Sequence, residues 1–519
     1  MANHTIRCAV QLARASGSSL ALLFIDYRTA YYAALRELIM PMRGGTEAAE
    51  EAIAGMTLPP ALVELLKRNL EQPSLLEQLA EARPEAGHLV DQLVDVHTNT
   101  WFCVQHAPGP AVTRRGTRPG DSLADVLFGV LLAPVLDEVG EGLEEAGLAW
   151  VQGPAGPFSA AAPRSTAPPL SPPRPQRNTD ITYADDVVYE IWPNAPHRVL
   201  EDLAFAVTLA VRAAGSKGLV VNDGPGKSAL LLVMRGRLSC VNRRAICADR
   251  GGKIADTAGY GVEVPVVRQY KYLGSQITDS GTLQPEIAAR RSAQAGAVVS
   301  LRKAVFERAL VETSTKAQLA NALATSRLMY LCHVWPKATE SELKAFAAAY
   351  AVPFRAATRT GRHPTSHHIE EEALHRAGQL SVQTRLTMAR LRYLPRLLAN
   401  APAQLHFLLD ALLARGIGWP MLIQEDCQKL ADWTPEQKPE AGEQIAAWVA
   451  AAGDDRRQWV SRCTLAAKRA ARADAEAQLV AIWSRGLEQT CRDAGLTTTL
   501  HGSGGRGRAA APATSGGTS

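Results

Sequence analysis

The segment Ser19 to Ile25, SLALLFI, is apolar without alternation and ends at Asp26, the pattern of a short strand buried on both faces. A helical pattern follows from Arg28 to Met40 and is stopped by Pro41. Residues 46 to 96 predict acidic helices, Thr100 to Gln105 a strand, and Leu123 to Leu136 a buried helix kinked at Pro134. Asp180 to Trp192, DITYADDVVYEIW, divides into two β-prone runs that meet at adjacent aspartates, as in a hairpin. From about Pro285 onward Ala, Leu, Arg and Glu dominate and almost everything reads as helix. The expected fold class is therefore α+β, with an α+β unit followed by an all-helical region.

Two stretches interrupt this patterning. Gly153 to Arg177 is rich in Pro, Ala and Ser and predicts a linker or surface insertion, and Gly502 to Ser519 predicts a disordered tail. The 519 residues leave room for about three domains of ordinary size. With 46% hydrophobic and 21% charged residues, the chain is neither wholly disordered nor a membrane bundle, and no run approaches the ~20 apolar residues of a membrane span. Lys plus Arg exceed Asp plus Glu by 56 to 51, a balance that confines any polyanion site to a local patch. The eight cysteines show no CxxC and no Cys/His group at zinc spacing, so reduced thiols are expected. Met1 to Ser19 lacks the long apolar core of a secretory signal. The expected location is intracellular, nuclear or cytoplasmic, with no membrane partner.

Candidate chemistry lies in three carboxylates at predicted strand ends, Asp26, Asp185 and Asp186. Adjacent carboxylates repel, and gathering three of them calls for cations. Magnesium takes carboxylate and phosphate oxygens, and two such ions about 3.5 to 4 Å apart support in-line phosphoryl displacement. Each aspartate taken alone is an ordinary turn residue.

Four blocks occur in order: LFIDYRTAYYAAL (Leu23 to Leu35), GTRPGDSLADVLF (Gly116 to Phe128), ITYADDVVY (Ile181 to Tyr189) and QYKYLGSQIT (Gln269 to Thr278). Together they resemble the reverse transcriptase palm of non-LTR, LINE-like retrotransposons: the second its Gly-x-x-Gln-Gly block, the third its Tyr-x-Asp-Asp box, the fourth its Tyr-Leu-Gly primer grip and start of the thumb. The resemblance implies a ferredoxin-like polymerase palm at 18–265, a helical thumb at 266–350, an all-α extension at 351–498 and a tail at 499–519. It implies an RNA-directed DNA polymerase that takes an RNA template, a DNA primer, deoxynucleoside triphosphates and two Mg2+ ions. Asp26, Asp185 and Asp186 would bind the metals. Tyr31 would lie under the incoming sugar and exclude a 2′-hydroxyl, and Ala184 would lie beside the nucleotide. Gly116 and Gly120 would let the backbone approach template and nucleotide closely, while Arg118, with Arg115, would contact phosphates. Lys227, after GLVVNDGPG, would protonate the leaving pyrophosphate, across a loop longer than the family's. Arg290, Arg291, Arg302 and Lys303 would meet nucleic acid from the thumb, and Arg385, Arg392 and Arg396 share one helix face further on.

The chain also departs from the family. Pro119 stands where the family has a template-positioning glutamine, and Asp125 replaces a usual proline. Only 25 residues precede Asp26, where the family has a fingers subdomain, and no endonuclease domain or Cys/His knuckle accompanies the palm. A truncated or degenerate copy, weak or inactive by itself, is the expectation. The alternatives are a non-catalytic nucleic-acid-binding remnant and an intron-encoded maturase, the latter disfavoured by Tyr272-Leu273-Gly274-Ser275 and LRYLPRLL (Leu391 to Leu398).

Overall fold

The computed structural model describes residues 1–41, 53, 56–98, 100–103, 106, 109–112, 115–117, 123–150, 155–162, 179–359, 369–437 and 444–493. The chain is α+β. Its sheet has six strands: β1 (Leu20–Ile25), β2 (Asp180–Tyr183), β3 (Asp186–Ile191), β4 (Ala229–Val233), β5 (Lys253–Ala255) and β6 (Glu263–Val267). Their spatial order is β2-β3-β1-β4-β6-β5. The first four follow a β-α-β-β-α-β course, with helices Ala124–Glu145 and Val199–Ser216 as the two crossovers. β1 is antiparallel to both neighbours, and all six of its residues are buried. The period of two splits them: Ala21, Leu23 and Ile25 enter one core with both crossover helices, while Leu20, Leu22 and Phe24 enter another.

That second face is covered by both ends of the chain. Helix α1 (Ala2–Ser16) ends at Gly17, whose φ of 67° suits the left-handed cap, and the helix packs against the sheet and against helix Ala403–Ala414. Helices Val382–Asn400, Trp419–Trp433 and Arg456–Asp493 complete the layer through Leu391, Trp419 and Trp459. A third core runs from Leu283 to Leu386, and helix Glu340–Thr358 passes straight through the expected thumb boundary at 350. Among the described residues no single helix is long and apolar enough to cross a membrane.

Three local expectations change. The helix expected from Arg28 to Met40 is two short pieces, Ala30–Ala33 and Arg36–Ile39. The carbonyls of Tyr31 and Ala34 accept from Thr117 and Gly116 N–H, so a distant loop takes hydrogen bonds that a continuous helix would use. The strand expected over Thr100 to Gln105 is only Trp101–Phe102 within the described residues. The Pro-rich stretch begins with an ordered turn, Pro157–Ala160, because Asp410 accepts from the backbone N–H of Gly156, Phe158 and Ser159 at 2.9 to 3.0 Å and Phe158 is fully buried. The remainder of that stretch and the tail lie outside the described residues.

A small hairpin joins the sheet to the third core: β7 (Gln269–Tyr272) and β8 (Ser275–Thr278), linked by Leu273 and Gly274. Both turn residues have positive φ, 44° and 75°, as a type I′ turn requires. The turn is clamped from outside by Arg290, which donates to the Gly274 carbonyl, and by Tyr330, whose hydroxyl donates to the Leu273 carbonyl at 3.1 Å. Glu286, fully buried, accepts from Gln276 N–H at 2.6 Å and from Arg290 Nε at 2.9 Å. Buried Arg7 of α1 reaches Ser275 Oγ at 2.9 Å, and burial lowers its guanidinium to about 10 against the opposing charge of Glu286. One carboxylate thus balances two arginines at the junction of α1, β8 and helix α4 (Gln284–Leu301, taking α2 and α3 as the two crossovers). Removing it leaves cations uncompensated, so Glu286→Ala should lower unfolding free energy by about 3 kcal/mol in a urea titration. Arg302→Ala, at a side chain 68% exposed, should change it by less than about 0.5 kcal/mol. Equal effects would contradict the junction's role.

Candidate active site

The strand registers place the predicted carboxylates together. The pairing of β1 with β3 runs to Ile25 opposite Val187, so one further step sets Asp26 beside Asp186. On its other side β1 pairs Phe24 with Ala229, beyond which Tyr27 bridges Val221, and the Lys227 side chain reaches Asp26 with Nζ 3.4 Å from Oδ1. Directly opposed residues of an antiparallel sheet share a face. Asp186, Asp26 and Lys227 therefore form a row at the ends of three adjacent strands. Tyr183 pairs with Asp186, leaving Ala184 and Asp185 as the two-residue turn at the row's edge. Ala184 takes φ 58°, which a non-glycine residue adopts at a strained tight turn.

Asp26 is held from three sides. Its backbone N–H donates to Ser228 Oγ at 3.0 Å and its carbonyl accepts from Asn222 N–H at 2.8 Å. Asn222 Nδ2 donates to Oδ2 at 2.7 Å, and Lys227 Nζ lies 3.4 Å from Oδ1. The long loop before Lys227 is pinched shut by Ser228 N–H donating to the Asn222 carbonyl at 3.0 Å, which returns the lysine to the row despite the extra residues. The Asp26–Lys227 pair is half open to water, with side chains 29% and 50% exposed, so it holds weakly and can be displaced.

Asp186 is not compensated in this way. Its carboxyl is raised above the ordinary aspartate range, first by burial, then by the charges of Asp185 and Asp26, with only Lys227 opposing. Two tyrosines floor the row. Tyr270 stacks on Phe24 with centroids 4.2 Å apart and donates to the Lys227 carbonyl at 2.8 Å, and Tyr272 donates to the Asp186 carbonyl at 3.3 Å. Burial, then the charges of Asp26 and Asp186, pushes the Tyr270 phenol up to about 12.

Tyr31 stands on the side of the crossover helices. Its hydroxyl donates to Asp125 Oδ1 at 2.9 Å and its ring lies 4.7 Å from that of Phe128. Burial and the Asp125 hydrogen bond raise the phenol well above its ordinary value, with Asp185 and Asp186 adding to the shift, so the ring sits within electrostatic reach of the carboxylates. Gly116 makes a close approach within the chain itself. With φ 89°, a Cβ there would meet Tyr32 Cα at 2.9 Å, so its close backbone approach is to this chain's own Tyr31–Tyr32 segment. Arg118 and Gly120 lie outside the described residues, as does Pro119, while Arg115 is exposed.

Of the expected thumb contacts, Arg291, Arg302 and Lys303 are exposed. Arg290 is not free for phosphate: it is paired with Glu286, bonded to Gly274 and stacked 4.6 Å above the Tyr330 ring. Sequence reasoning missed the roles of Asn222, Ser228, Tyr270 and Asp125. The first three act through long-range hydrogen bonds to Asp26 and Lys227, whereas Asp125 carried only the signal of replacing a proline.

Neither a protein-family model nor a curated protein matches this chain. Among the described residues no group of three or more His, Cys, Asp or Glu side chains is disposed as a ready-made metal centre. Asn222 and Lys227 reach the two oxygens of Asp26. The donor chemistry nevertheless suits a hard divalent cation, since all three groups are carboxylates and the repulsion at Asp186 is relieved only in part, by Lys227.

The raised carboxyl is directly measurable. In a 13C titration Asp186 should protonate above the ordinary aspartate range; Asp185→Asn should lower its midpoint and Lys227→Met should raise it. Because the folded chain holds this proton more tightly than the unfolded chain, its stabilising contribution is complete below the unfolded midpoint and is lost as pH rises through the folded one. An Asp186 midpoint that ignores both substitutions would contradict the cluster.

Proposed function

We propose that the chain is the palm and thumb of an RNA-directed DNA polymerase of the non-LTR retrotransposon type, with the β-α-β-β-α-β unit as a ferredoxin-like palm. The observation that carries this reading is the row Asp186–Asp26–Lys227 across three strands, with Asp185 in the adjoining turn. The substrates are an RNA template, an annealed DNA primer and deoxynucleoside triphosphates. Asp26, Asp185 and Asp186 would hold two magnesium ions, which supply activation of the primer hydroxyl and neutralisation of the phosphates.

The chain's own residues account for the remaining chemistry. The primer 3′-oxygen forms a bond to the α-phosphorus as the bond to the bridging oxygen of pyrophosphate breaks. Lys227, once released from Asp26, is the general acid that protonates that leaving group. Tyr31, fixed at its hydroxyl by Asp125 and at its ring by Phe128, excludes a ribose 2′-oxygen by overlap. Tyr270 and Tyr272 hold the carboxylate row on the hairpin that Arg290 clamps to α4. Arg291, Arg302 and Lys303 contact phosphates without reading bases.

A second reading, a nucleic-acid-binding protein without catalysis, is favoured by the ion pair that Lys227 makes with Asp26. Primer extension separates the two. With RNA template, DNA primer, magnesium and deoxynucleotides, Asp185→Asn should reduce extension by more than about 100-fold. Tyr31→Ala should extend and newly accept ribonucleotides. Undiminished extension by Asp185→Asn would overturn the polymerase reading, and primer-template binding with no extension by the unaltered chain would establish the second.

A further inference from the structure

The end of the sheet remote from Asp26 carries its own cluster of charge. β4 runs antiparallel to β1, so its C-terminal end emerges beside Ser19, a strand length of ~20 Å from the carboxylate row. There a cavity of about 480 Å³ is lined by Arg14, Arg235, Arg243 and Arg268. The four come from separate places: the last turn of α1, the residue two past β4, the short helix Ser239–Arg244, and the single link between β6 and β7. One carboxylate, Asp279, lines the same space and lies 3.6 Å from Arg243. Among the described residues Arg14, Arg235 and Arg268 have no ion pair within 4 Å. The cavity therefore carries four guanidinium groups against the single carboxylate of Asp279.

The backbone holds these groups in place. Ser19 Oγ donates to the Arg235 carbonyl at 3.1 Å and accepts from Arg235 N–H at 3.2 Å. The Arg268 carbonyl accepts from Asp279 N–H at 3.0 Å. Arg14 lies along Gly281, where a Cβ would come within 3.6 Å of its Cδ. Burial and the neighbouring charge of Arg235 lower the Arg14 guanidinium, with Asp279 opposing, so Arg14 and Arg235 repel one another across the opening. Guanidinium forks match phosphate oxygens two at a time, and several converging on an open site suit consecutive phosphates. No aromatic ring lines the cavity to stack a base. Recognition of this kind ignores sequence.

We propose that the cavity formed by Arg14, Arg235, Arg243 and Arg268 binds the phosphodiester backbone of a nucleic-acid strand, at a site separate from the carboxylate row. The proposal goes beyond the polymerase reading and stands without it. Binding is read in EDTA, so no catalytic step and no metal enters the measurement. Anisotropy of a labelled, unstructured 20-nucleotide RNA is followed over a range of salt concentrations. Arg235→Ala/Arg268→Ala should weaken binding at least about fivefold and flatten the slope of log affinity against log salt by about 1.4, two phosphates at ~0.7 each. A charge-matched control, Lys429→Ala/Arg457→Ala, should change neither, and Arg235→Lys/Arg268→Lys should keep the slope while losing affinity. The same variants are titrated with inorganic pyrophosphate by calorimetry. Arginine-dependent pyrophosphate binding alongside unaltered RNA binding would assign the cavity to free phosphates and overturn the proposal. So would RNA affinity and slope equal to those of the unaltered chain, or an equal loss in the control.

Discussion

Six consecutive buried residues, Leu20 to Ile25, set the geometry of everything else in this chain. A strand with apolar side chains on both faces is stable only at the centre of a sheet with a layer on each side. One side is met by the crossover helices Ala124–Glu145 and Val199–Ser216, the other by α1 and the C-terminal helices. The same burial fixes the registers to β3 and β4, because a one-residue slip would exchange the two faces. Since the registers are fixed, the residue after Ile25 is delivered between Asp186 and Lys227.

That residue is the carboxylate Asp26, and the sheet's own order then concentrates negative charge at one end and positive charge at the other. At the carboxylate end the repulsion is relieved only in part, by a half-exposed lysine and by an asparagine amide. Such an arrangement is poor for stability and well suited to accepting a cation, which is the trade expected at a functional site. The same face holds a further carboxyl, Glu190, buried with no cationic partner among the described residues and raised to about 8 chiefly by that burial. It remains protonated in the core below that range, so the charge available to a ligand lies at the strand ends.

The parts legible in the sequence were those that depend on local chemistry. An unbroken apolar run declared β1, and paired aspartates between β-prone runs declared the hairpin. The parts that escaped depend on long-range partners. The Arg28–Met40 helix breaks because the Gly116 loop takes its carbonyls, and Gly116 is needed for that contact. Arg290 reads as a surface cation until Glu286, Gly274 and Tyr330 enclose it. The distal arginines are scattered between positions 14 and 268, and only the strand order brings them to one opening. That the C-terminal helices cover the sheet's second face was likewise invisible, because an amphipathic helix does not name its partner.

Lys227 lies against Asp26, and the function proposed for the carboxylate row requires that it compete for this place with a divalent cation. Electron paramagnetic resonance of Mn2+ measures that competition, since bound and free ion are distinguished without any reaction. Lys227→Ala should bind Mn2+ more tightly than the unaltered chain, because a competing cation is gone, and Asp185→Asn should bind it more weakly. Unchanged or weakened Mn2+ binding in Lys227→Ala would contradict the competition.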